Sequence, residues 1–232
     1  MNQIRTCPVC MHHCRLAPGQ LGRCRARKNE QGRIVSVNYG KVTALALDPI
    51  EKKPLRQFYP GSKILSVGSF GCNLSCPFCQ NHEISMHGEQ AADHVEMTPL
   101  QLADLAEEMQ KRGNIGVAYT YNEPLIGHEF VRDCAAIVHA RGMKNVVITN
   151  GSVQLEILEA LLPDIDAMNI DLKGFTQSFY DLVGGDLATV KHTIEVLAVT
   201  PTCHLEVTTL VIPDLNDSDQ EIAEAAQWLA SL

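Results

Sequence analysis

No apolar run in this chain reaches the ~18–20 residues of a membrane-spanning helix. The start, Met1-Asn2-Gln3-Ile4-Arg5-Thr6-Cys7, lacks the apolar core of a secretory signal. A basic excess is missing too. The formal net charge is −8, which argues against general nucleic-acid binding, because phosphate contacts need a basic face. One local cluster, Arg23, Arg25, Arg27, Lys28 and Arg33, reads as a solvated surface or as a patch for an acidic partner. No segment repeats. What is left is a chain of 232 residues, 45% apolar and 20% charged: one large domain, or one domain with an appendage. The expected setting is the cytoplasm, with neither membrane nor nucleic acid as a partner.

Cysteine is abundant. Nine in a chain without a secretory signal read as metal ligands rather than disulfides. Three lie in Gly71-Cys72-Asn73-Leu74-Ser75-Cys76-Pro77-Phe78-Cys79-Gln80-Asn81, spaced Cys-x3-Cys-x2-Cys. Three thiolates on one loop grip three corners of a cubane iron–sulfur cluster, whereas full protein ligation takes four. The missing ligand leaves one iron open, by the logic that separates closed structural metal sites from open catalytic ones. The alternatives are a structural zinc, with His82 near enough to serve as fourth ligand, and inert buried thiols. The loop follows the strand-like run Lys63-Ile64-Leu65-Ser66-Val67-Gly68, so it sits at a strand's C-terminal end, where β/α folds carry their chemistry.

Four more cysteines, Cys7, Cys10, Cys14 and Cys24, make a head with turns at Pro18, Gly19 and Gly22. Four ligands close a tetrahedral shell, which suits a structural metal. Zinc and a second iron–sulfur cluster both fit, and His12 or His13 could replace a cysteine. Cys134, within a helix, and Cys203, at the start of a strand, read as small hydrophobes.

Residues 33–47 alternate apolar and polar like strands, before the proline-bracketed loop Asp48-Pro49-Ile50-Glu51-Lys52-Lys53-Pro54-Leu55. From residue 63 strands and helices alternate. The pattern predicts strands at 64–68, 115–119, 145–149, 166–171 and 203–212. It predicts helices opening at Thr98-Pro99 and covering roughly 125–140, 154–162, 176–182 and 186–199, with a last one opened by Ser218. Five β/α units imply a parallel sheet with helices outside, and are too few for a closed eight-stranded barrel. The expected fold class is therefore α/β, a partial (open) β/α barrel over 63–232 behind a cysteine-rich head and β-rich lead-in over 1–62.

The cluster loop, with Phe78 just before its last cysteine, resembles the signature of the radical S-adenosylmethionine (SAM) enzymes. That resemblance implies a [4Fe-4S] cluster on Cys72, Cys76 and Cys79. SAM would occupy the open iron, its reductive cleavage would yield a 5′-deoxyadenosyl radical, and an electron donor such as flavodoxin or ferredoxin would be needed. The family core typically has six units. The sixth strand is not in this sequence, so the chain reads as lacking its last strand. Thr120-Tyr121-Asn122-Glu123-Pro124 stands where the family carries a Gly-Gly-Glu-Pro-like element; only the Glu-Pro is kept. The resemblance casts Glu123 as the partner of the SAM ammonium; otherwise it is a helix N-terminal carboxylate. Thr149-Asn150-Gly151 is similar to the Thr-Asn-Gly of glycyl-radical activating enzymes, which places Asn150 at the cofactor. Ile148 stands where those enzymes have an acidic residue, so their cation site is not carried over. Asp171 and Lys173 match their Asp-x-Lys element, with Lys173 toward the SAM carboxylate; otherwise the two form a strand-end ion pair. Glu206, Thr208 and Thr209 offer ribose or substrate contacts, and Asn81 or His82 could donate to a cluster sulfur. No side chain is assigned a catalytic role.

The order of head, Tyr39-Gly40-Lys41-Val42, Asp48 through Leu55, Pro60-Gly61-Ser62-Lys63 and cluster loop resembles the radical SAM protein of the AmmeMemoRadiSam system, a relative of pyruvate formate-lyase activating enzymes. It implies Memo-like and AMMECR1-like partners. Two other functions stay open: a glycyl-radical activase, and a non-catalytic iron–sulfur scaffold that senses redox state. Polar groups at the strand tips favour the enzyme.

Overall fold

The structure, a computed structural model, describes residues 3–232; Met1 and Asn2, at the polar start, lie outside the described residues. In the head, turns leave room only for short antiparallel pairs: β1 (Arg5–Thr6) with β2 (Arg15–Leu16), and β3 (Arg27–Glu30) with β4 (Arg33–Ser36). β5 (Lys41–Val42) and β6 (Ala44–Pro49) follow. β6 runs antiparallel to β7 (Lys63–Gly68), which leads into the cysteine loop and the short helix α1 (His82–Ser85). β8 (Val95–Glu96) returns to pair with β5.

The strand–helix alternation then runs as expected. α2 (Pro99–Met109) precedes β9 (Asn114–Tyr119), α3 (His128–Ala140) precedes β10 (Lys144–Thr149), and α4 (Leu155–Leu161) precedes β11 (Ala167–Asp171). α5 (Gln177–Val183) and α6 (Leu187–Ala198) lead to β12 (His204–Thr208), and α7 (Asp219–Ala230) closes the chain. The sheet order is β6-β7-β9-β10-β11-β12, parallel except for β6. It is an open α/β sheet of the partial-barrel kind.

Local chemistry explains the boundaries. Thr98 caps α2 with a reciprocal box: Thr98 Oγ1 accepts from Gln101 N at 3.2 Å, and Gln101 Oε1 accepts from Thr98 N at 2.8 Å. Leu102, Ala103 and Ala106 turn that helix's inner face into the core, and burying Leu102 alone contributes about 1.5–3 kcal/mol. β12 is shorter than the predicted 203–212. It lies at the sheet edge, and beyond Thr208 the Asn216 side chain replaces a neighbouring strand. Its Oδ1 accepts from Ile212 N at 2.6 Å, and its Nδ2 donates to the carbonyls of Lys173 (2.7 Å) and Leu210 (2.9 Å).

The sheet separates two environments. Leu65, Val67, Val117, Tyr119, Val147, Met168 and Ile170 point outward into the helix-covered core. The opposite face carries the cross-sheet row Ser66, Ala118, Val146, Ala167 and His204. Against that concave face lies the proline-bracketed loop. Ile50, Leu55 and Phe58 pack on Ile64, Ala118, Val146 and Ala167. Asn169 Nδ2 donates to the Pro54 carbonyl at 3.1 Å, and Glu206 accepts from the amides of Arg56 and Gln57 at 2.8 and 2.9 Å. The loop plugs the lower end of the open barrel, which leaves the strands' C-terminal ends as the open end of its interior.

Candidate active site

At that upper end the strand tips and the cysteine loop enclose a cavity of about 270 Å³. Cys72, Cys76 and Cys79 line it, with Glu123, Thr149, Asn150, Asp171 and Lys173 from three strand tips. The three cysteines and the Glu123, Asn150, Asp171 and Lys173 side chains that the sequence named thus face one space.

The thiols sit among donors. Leu74 N lies 3.4 Å from Cys72 Sγ, Asn150 Nδ2 lies 3.7 Å from the same sulfur, and Ser85 Oγ lies 3.2 Å from Cys79 Sγ. Burial, more than any charge, raises the pKa of Cys72 and Cys76, so both are held as thiols unless a cation takes the proton's place. Lys173 is the cation that opposes this trend. Three thiols on one wall, with N–H and O–H groups aimed at their sulfurs, fit an iron–sulfur cluster held by three ligands. With the side chains as placed, no group of three or more His, Cys, Asp or Glu among the described residues is set around a metal position.

Glu123 is buried at 3% exposure. Its Oε1 accepts from Thr149 Oγ1 at 2.7 Å and from Leu125 N at 3.0 Å, and its Oε2 accepts from Asn150 N at 2.8 Å. Burial still outweighs these bonds and raises its pKa. The carboxylate therefore does cap the turn after Pro124, and it also ties the tip of β9 to the tip of β10. Oε2 keeps room for one further donor from the cavity. Lys173 Nζ pairs with Asp171 Oδ2. Burial works to lower the Lys173 pKa, but the Asp171 carboxylate and the nearby cysteines raise it overall, so the cavity keeps a fixed positive charge. Asp171 Oδ1 is buried and has no partner among the described residues.

Glu206 and His82 lie outside the cavity, and Asn81 lines it but donates to backbone rather than to a sulfur. Glu206 holds the plug loop. Asn81 Nδ2 donates to the Tyr121 carbonyl at 2.8 Å, and His82 is exposed. The donors to the Cys72 sulfur are instead Leu74 N and Asn150 Nδ2, and Ser85 Oγ is the hydrogen-bond partner of Cys79 Sγ. Sequence reasoning missed Tyr121. Its φ is +72, an uncommon left-handed conformation for a bulky residue, and it folds the ring inward over Gly68, where a Cβ would lie 2.9 Å from the Tyr121 ring. Tyr121 Oη donates to Asp48 Oδ2 at 2.7 Å, Lys53 Nζ pairs with the same oxygen at 2.7 Å, and that ammonium lies 4.5 Å from the ring centre. Of this triad, Tyr121 lines the cavity, and Asp48 and Lys53 hold its ring in place from behind. The signal was present in the charged run Asp48 through Lys53, which has no reason to be so polar at a buried position unless it meets an interior group.

In the head, Cys7, Cys10 and Cys24 are buried and Cys14 is half-buried. Burial first, and neighbouring head thiols after it, raise Cys10 to about 11 and also raise Cys24. Cys24 and Cys7 contribute to the rise at Cys10, and Cys7 and Cys14 to the rise at Cys24.

The Radical SAM superfamily model matches residues 66–229, which span the second half of β7, the cysteine loop, the other four parallel strands and most of α7. The chain is 39% identical over 221 residues to Uncharacterized protein MJ0808 of Methanocaldococcus jannaschii, covering 95% of this chain and 64% of that protein. It is 28% identical over 116 residues to the benzylsuccinate synthase activating enzyme of Thauera aromatica, covering 49% of this chain and 35% of that enzyme. The chain thus spans less than two thirds of the length of either relative. Among solved structures, Streptococcus suis SuiB shares the fold with a TM-score of 0.51 at 15% identity, over 70% of this chain and 35% of SuiB. No helix among the described residues is long and apolar enough to cross a membrane. The family match covers more than half of the chain and holds the three-cysteine loop, the strand tips and the cavity between them: this chain belongs to the radical SAM superfamily.

Proposed function

We propose that this chain is an enzyme that binds a [4Fe-4S] cluster through Cys72, Cys76 and Cys79 and uses it on SAM. The observation that supports this best is the sharing of one cavity by three thiols, an ammonium (Lys173) and two buried or half-buried carboxylates (Glu123, Asp171). When bound, the two cofactors supply reductive cleavage of the sulfonium and a 5′-deoxyadenosyl radical that abstracts hydrogen from a protein or small substrate. The chain's own residues grip and orient. Glu123 Oε2 receives the SAM ammonium. Lys173 shares its charge between Asp171 and the SAM carboxylate, and Asn150 aligns the Cys72 sulfur. Tyr121 and the plug loop keep water from the cavity floor. Anaerobic reconstitution with iron and sulfide, followed by dithionite and SAM, should release 5′-deoxyadenosine. A fully loaded cluster that yields none would leave the redox-sensing scaffold as the better reading.

The similarity to benzylsuccinate synthase activating enzyme, with Thr149-Asn150-Gly151 and Asp171-x-Lys173, supports a narrower reading as a glycyl-radical activase. A glycyl radical signal in a co-incubated glycyl-radical enzyme would establish it. Memo-like and AMMECR1-like proteins, and a flavodoxin or ferredoxin donor, are the partners we propose; co-purification of the tagged full chain tests them. In the head, Cys7, Cys10, Cys14 and Cys24 would close around zinc or a second cluster.

A further inference from the structure

His12 lies between Cys10 and Cys14, yet its ring points away from the head. Its Nε2 stands 2.7 Å from the backbone carbonyl oxygen of Asn73, inside the cluster loop. A carbonyl only accepts, so Nε2 carries the hydrogen and donates it. Asn73 is 1% exposed and directly follows Cys72. Its Nδ2 donates to the Ser152 carbonyl at 2.8 Å, and its Oδ1 accepts from Asn150 Nδ2 at 2.9 Å. That same Asn150 Nδ2 lies 3.7 Å from Cys72 Sγ, and the amide after Asn73, Leu74 N, lies 3.4 Å from the same sulfur. The junction recurs nearby: Gln154 N donates to the Val9 carbonyl at 3.0 Å, and the Cβ position of Gly71 is 2.4 Å from the Cys24 carbonyl oxygen.

We propose that His12 is a positioning residue for the iron–sulfur site: by holding the Asn73 carbonyl it fixes the Cys72-Asn73-Leu74 turn and the N–H groups aimed at the Cys72 sulfur. The inference rests on the reading that Cys72, Cys76 and Cys79 hold the cluster. It makes the head a support behind the cluster loop rather than a separate appendage. Donors to a ligand sulfur set a cluster's electronic state and its retention. Removing the His12 donor leaves a buried carbonyl without a partner, and the turn must move to rehydrate it.

The test uses the full chain, reconstituted anaerobically, in two variants. His12→Leu fills much of the ring's space with no donor, and His12→Gln keeps an N–H. The readouts are iron release to a chelator and the electron paramagnetic resonance spectrum of the reduced cluster; neither needs SAM turnover. His12→Leu should lose iron about tenfold faster, the rate equivalent of ~1.4 kcal/mol, with an altered spectrum. His12→Gln should match the parent. A parent-like His12→Leu overturns the proposal, as does equal damage in both variants, which would assign the effect to ring packing. If His12→Leu does not accumulate, His12→Phe, which keeps a ring and removes the Nε2 donor, cuts the same connection, and unchanged iron release there overturns it. A parent chain that takes up no cluster would sink the cluster reading and this inference together. A loaded parent with indifferent variants sinks only this inference.

Discussion

Replacing Gly71 with alanine separates two costs that glycine avoids, and a second glycine serves as the control. Gly71 has φ +87, and a Cβ there would stand 2.4 Å from the Cys24 carbonyl oxygen and 3.2 Å from Ala26 Cβ and Ile126 Cδ1. Gly113, just beyond α2, has φ +88, and nothing lies within 4 Å of where its methyl group would stand. The left-handed conformation costs an alanine about 1–2 kcal/mol, offset by roughly 0.4–1 kcal/mol from a less free unfolded chain. Gly113→Ala should therefore destabilise by about 1 kcal/mol. Gly71→Ala adds a clash with backbone, which no rotamer relieves, so the head must shift. Overpacking of this kind costs about 1–3 kcal/mol more. For a domain of this size the two totals correspond to Tm losses of about 2–4 °C for Gly113→Ala and about 5–15 °C for Gly71→Ala. Anaerobic melting curves of both variants measure this, and iron retention should fall only in Gly71→Ala, because only there is the head pushed off the loop that carries Cys72. Equal Tm losses would refute the claim that head and cluster loop are packed to contact.

Cys76→Ala should abolish the reconstituted cluster's absorbance and SAM cleavage; full cleavage activity would remove Cys76 from the ligand set. Cys7→Ala or Cys10→Ala should lower thermal stability and metal content more than SAM affinity, since metal affinity at a closed site becomes folding free energy. Elemental analysis showing one cluster's worth of iron and no zinc would eliminate the head site. Glu123→Gln and Lys173→Met should each weaken SAM binding by roughly ten- to a hundredfold, or about 1.5–3 kcal/mol, with the cluster intact. Titration against the cluster's paramagnetic signal reads this, and unchanged affinity in both returns Glu123 to turn capping and Lys173 to its ion pair. Although burial alone would raise Asp48, the bonds from Lys53, Tyr121 and Lys52 hold its carboxyl well below the ordinary value. Its stabilisation is therefore present above the unfolded carboxyl pKa of ~3.9 and is lost as pH falls through the folded one. Asp48→Asn should flatten the acid limb of the denaturation curve below about pH 4; an unchanged limb would show that the triad contributes nothing.

The sheet and its helices were legible because period and punctuation agreed, as at Thr98-Pro99 and Ser218, where cap chemistry is local. The end of β12 was not, since the run through Ile212 looks strand-like until Asn216 intercepts its backbone groups from outside any ladder. The thiols, Glu123, Asn150, Asp171 and Lys173 could be placed because a β/α layout brings strand tips together whatever lies between them. Tyr121 could not. Its inward turn depends on Gly68, far earlier in the chain, and on Asp48 of β6, one strand further in pairing order. Ser85 was hidden for a similar reason: only the one-turn helix α1 bends it back toward Cys79.

The plug loop also bears on how this molecule comes into being. The amides of Arg56 and Gln57 find their acceptor on Glu206, separated by 150 and 149 positions. A ribosome emitting ~5–20 residues per second makes those amides roughly 7–30 seconds before β12 exists. Contacts this distant in sequence slow folding, because the loop-closure entropy is spent before the contact forms. The apolar Ile50, Leu55 and Phe58 gain their cover in stages, from Ile64 first and then from Ala118, Val146 and Ala167 as the strands emerge. The barrel's inner lining is thus the last part of the chain to be sealed during synthesis, although it is among the first parts to be made.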